Sequence, residues 1–268
     1  MFEFNMLSVY RGKDVPINKN IVLKIPTLDQ IEKFNEKDYF SAIYTFTSVG
    51  ADMKWQLWDL GIDYTKINDY DLFSSFVYQL VGSRKKLYYD MIENPDKYEE
   101  KPDEKLLRNP LELILPDLDF SDFQRYKIDK SGEIVLYNSE KDITFDRVAY
   151  SKTVEIIRKI HGITRNNQIP ANEKTKMDLI EDARDEALSS VNRIFESALL
   201  PLVSTMQMYC GQCGDDTIWN TPISAFLYNI KRIGKIQDAE HLLQGAYCGF
   251  SDLKGVDKNR IDMFGKIT

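Results

Sequence analysis

Residues 123–160 read FQRYKIDKSGEIVLYNSEKDITFDRVAYSKTVEIIRKI, and this stretch decides the fold class. Short β-branched and aromatic runs alternate with polar segments up to residue 145, and segment 129–132 (DKSG) has the composition of a tight turn. Beyond residue 145 the apolar residues recur at steps of three and four, which is the spacing of an amphipathic helix. The stretch therefore predicts a small antiparallel β insertion near 123–145, followed by a helix.

The start of the chain predicts a β-hairpin and then helices. Its two strands are expected at Met6–Tyr10 and Ile21–Ile25, because both segments are β-branched and apolar and a polar stretch separates them. Thr27 stands where a helix N-cap is needed. Amphipathic spacing then continues to about residue 80, with polar breaks between the segments.

The last third of the chain predicts further helices. Residues 172–195 form a charged helix with a thin apolar stripe, which either bridges solvent or packs against another chain. Residues 199–209 are much more apolar, and Thr221 followed by Pro222 marks the start of a long helix. The expected fold class is α+β and mainly α-helical, with the N-terminal β-hairpin, a helical bundle, the β insertion and C-terminal helices.

A charged segment with three prolines is the best candidate for a boundary between lobes. Residues 94–110 are expected to form an exposed loop. This loop would separate an N-terminal lobe, 1–93, which holds the hairpin and aromatic-rich helices, from a C-terminal lobe, 111–268, which holds the β insertion and the last helices. One continuous domain is the alternative.

Composition excludes several classes of protein. The chain has 268 residues with 35 basic and 42 acidic side chains, a formal charge of −7, and 43% hydrophobic residues, which is too apolar for an intrinsically disordered chain. No run of ~18 apolar residues predicts a membrane span, and the acidic balance argues against nucleic acid as a partner. The first residues lack the pattern of a secretory signal. Three cysteines cannot all pair within the chain, so the protein is expected in a reducing cytoplasm.

The cysteines offer one candidate metal site. Cys210 and Cys213 form a C-x-x-C pair that can hold half of a tetrahedral zinc site, and His241 with Cys248 completes the ligand set. The spacing of the second pair is not diagnostic, and acidic residues follow Cys213, which disfavours a redox thiolate. Free thiols are therefore the preferred interpretation, and neither a metal nor a cofactor is expected.

No arrangement of residues predicts catalysis. The chain has no glycine-rich phosphate loop and no informative spacing of Ser, His and Asp or of Cys and His. His161, which precedes Gly162 at a predicted helix end, is interpreted as a cation that favours the helix dipole. The protein is expected not to be an enzyme.

Aromatic residues are dense in the N-terminal lobe and suggest a surface for a protein partner. A small lobe has limited core volume, so some of these rings are expected to remain exposed in a binding groove. The predicted partner-binding residues are Trp55, Trp58, Tyr64, Tyr70 and Phe73.

Eight short segments occur in a characteristic order along most of the chain. They are VYRGK (9–13), IPTLDQI (25–31), KDYF (37–40), MKWQLWDLGID (53–63), DLF (71–73), TIW (217–219), YNIKRI (228–233) and LLQGAYCGF (242–250). Together they resemble a poorly characterised protein family of tailed phages and prophages of Firmicutes. Members of this family are encoded in the tail-morphogenesis region, near the tape-measure gene.

The resemblance implies a tail assembly protein of the chaperone type. Such a protein binds the long tape-measure protein or the tail-tube subunits, keeps them soluble in the host cytoplasm and carries no catalytic residue. The alternative is a structural component of the virion tail or neck. A third hypothesis, an inhibitor of host defence, has only the acidic charge in its favour. Self-association remains open.

Overall fold

The structure is a computed structural model that describes residues 4–128, 132–190, 193–211, 216–250 and 252–267. It is mainly helical with two small antiparallel sheets, so the predicted fold class is confirmed. The helices are α1 (Met6–Tyr10), α2 (Leu28–Phe34), α3 (Glu36–Thr47), α4 (Lys54–Asp59), α5 (Asp69–Leu72), α6 (Tyr78–Glu93), α7 (Arg147–His161), α8 (Glu173–Ser190), α9 (Leu199–Cys210), α10 (Ile223–Tyr247) and α11 (Lys258–Ile261). The strands are β1 (Val15–Pro16), β2 (Val22–Leu23), β3 (Gln124–Lys127), β4 (Ile134–Asn138) and β5 (Ile143–Phe145).

The predicted β insertion is confirmed as a three-stranded antiparallel sheet in the order β3-β4-β5. Leu136 on the central strand lies opposite Arg125 on one side and Phe145 on the other. Strand β4 is mostly buried, whereas β3 is an exposed edge strand. The predicted turn at 129–132 falls largely on residues outside the described ranges.

The predicted first strand is wrong, because Met6–Tyr10 is a short helix. The Asn5 side chain accepts hydrogen bonds from the backbone N–H groups of Leu7 and Ser8, which caps the first turn. The N-terminal hairpin lies further along, where Val15 pairs with Leu23. A five-residue segment with apolar and β-branched residues fits one helical turn as well as a strand. The cap at Asn5 favours the helix here.

The starts of two distant helices are bonded to each other. Thr27 caps α2 through a reciprocal pair of bonds with Gln30, as expected from the sequence. The N–H of Ile223 donates to Pro26 O at 2.9 Å, and the N–H of Leu28 donates to Thr221 O at 3.2 Å. Helix α10 therefore begins one residue later than predicted, and its first turn is joined to the first turn of α2.

Five aromatic rings form the centre of the core. Phe46 from α3 and Phe73 from the turn after α5 meet Phe120, Phe145 and Tyr150, which come from residues 120–150. The closest ring centroids are those of Phe73 and Tyr150, 4.6 Å apart. One hydrophobic cluster thus contains residues from both predicted lobes, while the lobe boundaries at 93 and 111 stay a prediction.

His161 is neutral in the folded protein, contrary to the cation expected from the sequence. Its Nδ1 lies 2.8 Å from the Ile157 carbonyl, which only accepts, so Nδ1 carries the proton. Its Nε2 lies 2.7 Å from the buried Tyr39 hydroxyl and accepts from it. Burial lowers the pKa of His161 to about 4. Gly162 ends α7 in the left-handed conformation, as expected.

We expect His161 to make the protein less stable as the pH falls from about 6.5 to about 4. Within this window the unfolded chain binds a proton at His161 that the folded chain does not, so the free energy of unfolding decreases with falling pH, by at most about 1.4 kcal/mol for each pH unit. Urea denaturation of the native chain and of His161→Gln at several pH values measures this. The native chain is expected to show the steeper dependence, and equal slopes for the two proteins would refute the assignment.

Candidate partner-binding surface

Three of the five predicted partner-binding residues belong to the core. Tyr64, Tyr70 and Phe73 are buried, so the expectation that they would be exposed is wrong. The Tyr70 hydroxyl donates to the carbonyls of Ile134 and Phe145, which attaches α5 to the β insertion. The physical reason is that the β insertion and α7 supply core volume that the N-terminal lobe alone does not have.

The other two predicted residues lie on α4, and α8 covers part of them. Trp55 is partly buried against the core, and Trp58 retains 39% of its surface. The Lys176 ammonium lies 5.9 Å from the Trp58 ring, where a cation interacts favourably with an aromatic face. The charged α8 therefore packs on α4 of the same chain. The sequence predicted instead that this helix either bridges solvent or packs against another chain.

An ion pair fixes α8 in this position. Lys176 is only 5% exposed, and its ammonium donates to Asp63 at 2.9 Å. Hydrogen bonds from Lys176 and Thr65 hold the pKa of Asp63 well below its usual range. Arg184 and Asp59 form a second ion pair between α8 and α4. These contacts hold α8 against α4, while Trp58 keeps 39% of its surface exposed.

A different surface, on α9, has the properties expected of a partner-binding site. This helix contains 12 residues, LLPLVSTMQMYC, and none of them is charged. Charged residues make up 29% of the whole chain, so the helix stands apart in composition. Its inner face buries Leu199 and Val203 in the core. Pro201 lies in the first turn of the helix. Backbone N–H groups there have no intrahelical acceptor, so a proline costs no hydrogen bond.

The outer face of α9 is exposed and apolar. Leu200 keeps 68% of its surface and Tyr209 keeps 47%. The small polar residues Ser204 and Thr205 lie between them along the helix. We define the α9 outer face as Leu200, Pro201, Ser204, Thr205, Met208 and Tyr209, all of which are exposed.

The Glu36 carboxylate holds the N-terminus of α9. Its Oε1 accepts from the backbone N–H groups of Ala198, at 2.8 Å, and Leu199, at 2.9 Å. Its Oε2 accepts from the Ser197 hydroxyl at 2.6 Å. The first N–H groups of a helix have no intrahelical partner and carry partial positive charge, so a carboxylate stabilises them. The outer face is therefore presented by a helix with a fixed start.

The sequence contained a signal for this surface. Residues 199–209 were predicted as an apolar helix, but apolar content alone does not say which face is buried. A run of uncharged residues next to a strongly charged helix was the available indication. The aromatic-rich segment points to a different surface, because large rings are frequent at interfaces.

The candidate zinc ligands are only partly described by the structure. Cys210 ends α9 as a free, exposed thiol, and Cys248 is a second one after α10. His241 is exposed on α10, and Cys213 lies outside the described residues. Within the described ranges no three His, Cys, Asp or Glu side chains are grouped so that they could hold a metal ion.

Comparisons with known proteins identify no relative. Neither protein-family models nor curated proteins nor solved structures give a match. Among the helices that the structure describes, none combines the length and apolar character needed to cross a bilayer.

We expect Glu36→Ala to loosen the attachment of α9. The substitution removes the acceptor of three hydrogen bonds at the helix start, and losses of about 0.5–2 kcal/mol in the free energy of unfolding are usual for such a cap. Urea denaturation, with amide hydrogen exchange of residues 198–206, measures the effect. Glu32→Ala is the control, because Glu32 is exposed on α2. Equal exchange in both variants would contradict the role of Glu36.

Proposed function

We propose that this protein is a non-enzymatic phage tail assembly protein that binds the tape-measure protein, or tail-tube subunits, as a chaperone does. The resemblance to the tail-morphogenesis family supplies the partner. The observation that carries the proposal is the uncharged, exposed outer face of α9 on a helix whose inner face is buried. Exposed apolar surface of this kind is typical of protein interaction sites.

The mode of binding follows from the geometry of a helix. Leu200 and Met208 are eight residues apart and lie on the same side of α9, so the outer face presents one stripe to a partner. An apolar helix of the partner fits such a stripe, because its own apolar residues recur with the same spacing. The net charge of −7 keeps the protein itself soluble while the stripe is uncovered.

Binding to the tape-measure protein is expected to depend on the outer face of α9. The combined change Leu200→Glu and Tyr209→Lys should weaken the complex at least tenfold, because burying one large apolar side chain contributes roughly 1.5–3 kcal/mol. Co-expression with the tape-measure protein encoded nearby, followed by affinity purification and titration, measures the affinity of the complex. The native pair is expected to form a soluble complex at micromolar concentration.

A matched control lies on α6, where Leu80 is 51% and Tyr89 57% exposed. The combined change Leu80→Glu and Tyr89→Lys alters charge and apolar surface in the same way, away from α9, and is expected to leave binding intact. Absence of any native complex would contradict the proposed function. Equal loss in the two double variants would contradict the assignment of the surface.

The alternative, a structural component of the tail or neck, is favoured by exposed rings outside α9. Tyr247, Phe250 and Phe264 are almost fully exposed, and contacts between subunits in a particle would cover them. Mass spectrometry of purified virions distinguishes the two functions. A chaperone is expected to be absent from the particle, whereas stoichiometric presence would favour the structural role.

A further inference from the structure

A cavity of about 610 Å³ lies along α7, beside the aromatic core. The start of α5, the segment after α7 and Lys231 of α10 form its other walls. We call this cavity the α7 cup. The residues used in the argument are Asp69, Tyr150, Glu155, Arg158, Lys159 and Lys231.

Two residues that line the α7 cup carry buried donor atoms with no acceptor among the described residues. Tyr150 is only 2% exposed and its ring packs in the aromatic core, yet its hydroxyl has no hydrogen-bond partner. The Arg158 Nε–H is also buried and unpaired. Another nitrogen of the same guanidinium donates to the Thr47 carbonyl at 2.6 Å, which fixes the group. Buried donors are almost always paired in proteins, so these two call for an acceptor from outside the chain.

The charges of the α7 cup favour an anion. Its walls carry four cations, Arg147, Arg158, Lys159 and Lys231, but only two carboxylates. Both carboxylates are already engaged in the structure. Asp69 accepts from Arg165 at 2.7 and 2.9 Å, and Glu155 accepts from Lys159 at 2.8 Å. Within the described ranges, Arg158 and Lys231 have no carboxylate in salt-bridge contact.

An apolar groove of about 470 Å³ continues from the α7 cup. Lys159, Gly162 and Lys231 line both, so the two spaces are neighbours. The groove runs between α1 and α10, and most of its surface is apolar. Its apolar residues are Met6, Leu7, Val9, Ile160, Leu227, Tyr228 and Ile267.

We propose that the α7 cup and this groove together bind a peptide segment of a partner in which a carboxylate is flanked by apolar side chains. Both donor atoms are buried, so side chains of the cup move aside when the peptide binds. One carboxylate oxygen then accepts from the Tyr150 hydroxyl and the other from Arg158 Nε, while neighbouring side chains fill the groove. A carboxylate fits better than a phosphate dianion, because Asp69 and Glu155 line the same cup and repel a second negative charge. This site is separate from the α9 outer face and does not depend on the proposed function.

The test uses three capped synthetic peptides, acetyl-LFELF-amide, acetyl-LFQLF-amide and acetyl-SSESS-amide, titrated calorimetrically into the full chain. The first is expected to bind at least tenfold more tightly than the second, which lacks the charge, and than the third, which lacks the apolar side chains. Inorganic phosphate is titrated in parallel. Equal binding of LFELF and LFQLF, no detectable binding of LFELF at millimolar concentration, or tighter binding of phosphate would each overturn the proposal.

Matched variants locate the binding. Tyr150→Phe keeps the core ring and removes only the hydroxyl, so we expect about tenfold weaker binding of LFELF by a folded protein. Tyr64→Phe is its control, because the Tyr64 hydroxyl is also buried and unpaired but lies elsewhere. Lys231→Gln is compared in the same way with Lys174→Gln on the exposed side of α8. Equal effects within either pair would show that LFELF binds elsewhere.

Leu200→Glu on α9 is expected to leave the binding of LFELF unchanged. A failure of LFELF to bind is therefore distinct from a failure of the proposed function.

Discussion

Contact between the rings of Phe46, Phe73, Phe120, Phe145 and Tyr150 is the constraint on which the arrangement of the chain depends. Each ring comes from a different segment, so the cluster fixes five segments relative to one another: α3, the turn after α5, the turn at Phe120–Asp122, strand β5 and α7. Aromatic pairs at such separations bury large areas and prefer tilted or edge-to-face geometry, which most of these pairs show. Removing one ring would therefore disturb several elements together.

The cluster also positions the α7 cup and the α9 outer face. Tyr150 packs its ring in the core and also lines the α7 cup, so the cup has a rigid wall. Helix α3 contributes Phe46 to the cluster and Glu36 to the start of α9. The outer face of α9 is thus connected to the same core through α3, as well as through Leu199 and Val203 of α9 itself. Rigid support of this kind lowers the entropy lost when a partner binds.

The sequence predicted what depends on local chemistry and missed what depends on distant packing. The β insertion, the cap at Thr27 and the helix end at Gly162 were found, because turn composition and capping act within a few residues. The helix at 6–10 was missed, since its short apolar pattern also fits a strand. Burial of Tyr70 and Phe73 depends on residues 120–150, and no pattern near position 70 reveals which segment will cover it. The α7 cup likewise combines side chains from three separate parts of the chain.

The backbone bonds between 26–28 and 221–223 have a consequence for synthesis of the protein on the ribosome. The start of α2 cannot acquire these partners until residues 221–223 have been translated. Before that moment the nascent N-terminal segment exposes apolar residues such as Leu28 and Ile31, which are fully buried in the finished molecule. Contacts between such distant positions slow folding, because a long loop must close first. The N-terminal segment therefore completes its packing only after residues 221–223 have left the ribosome.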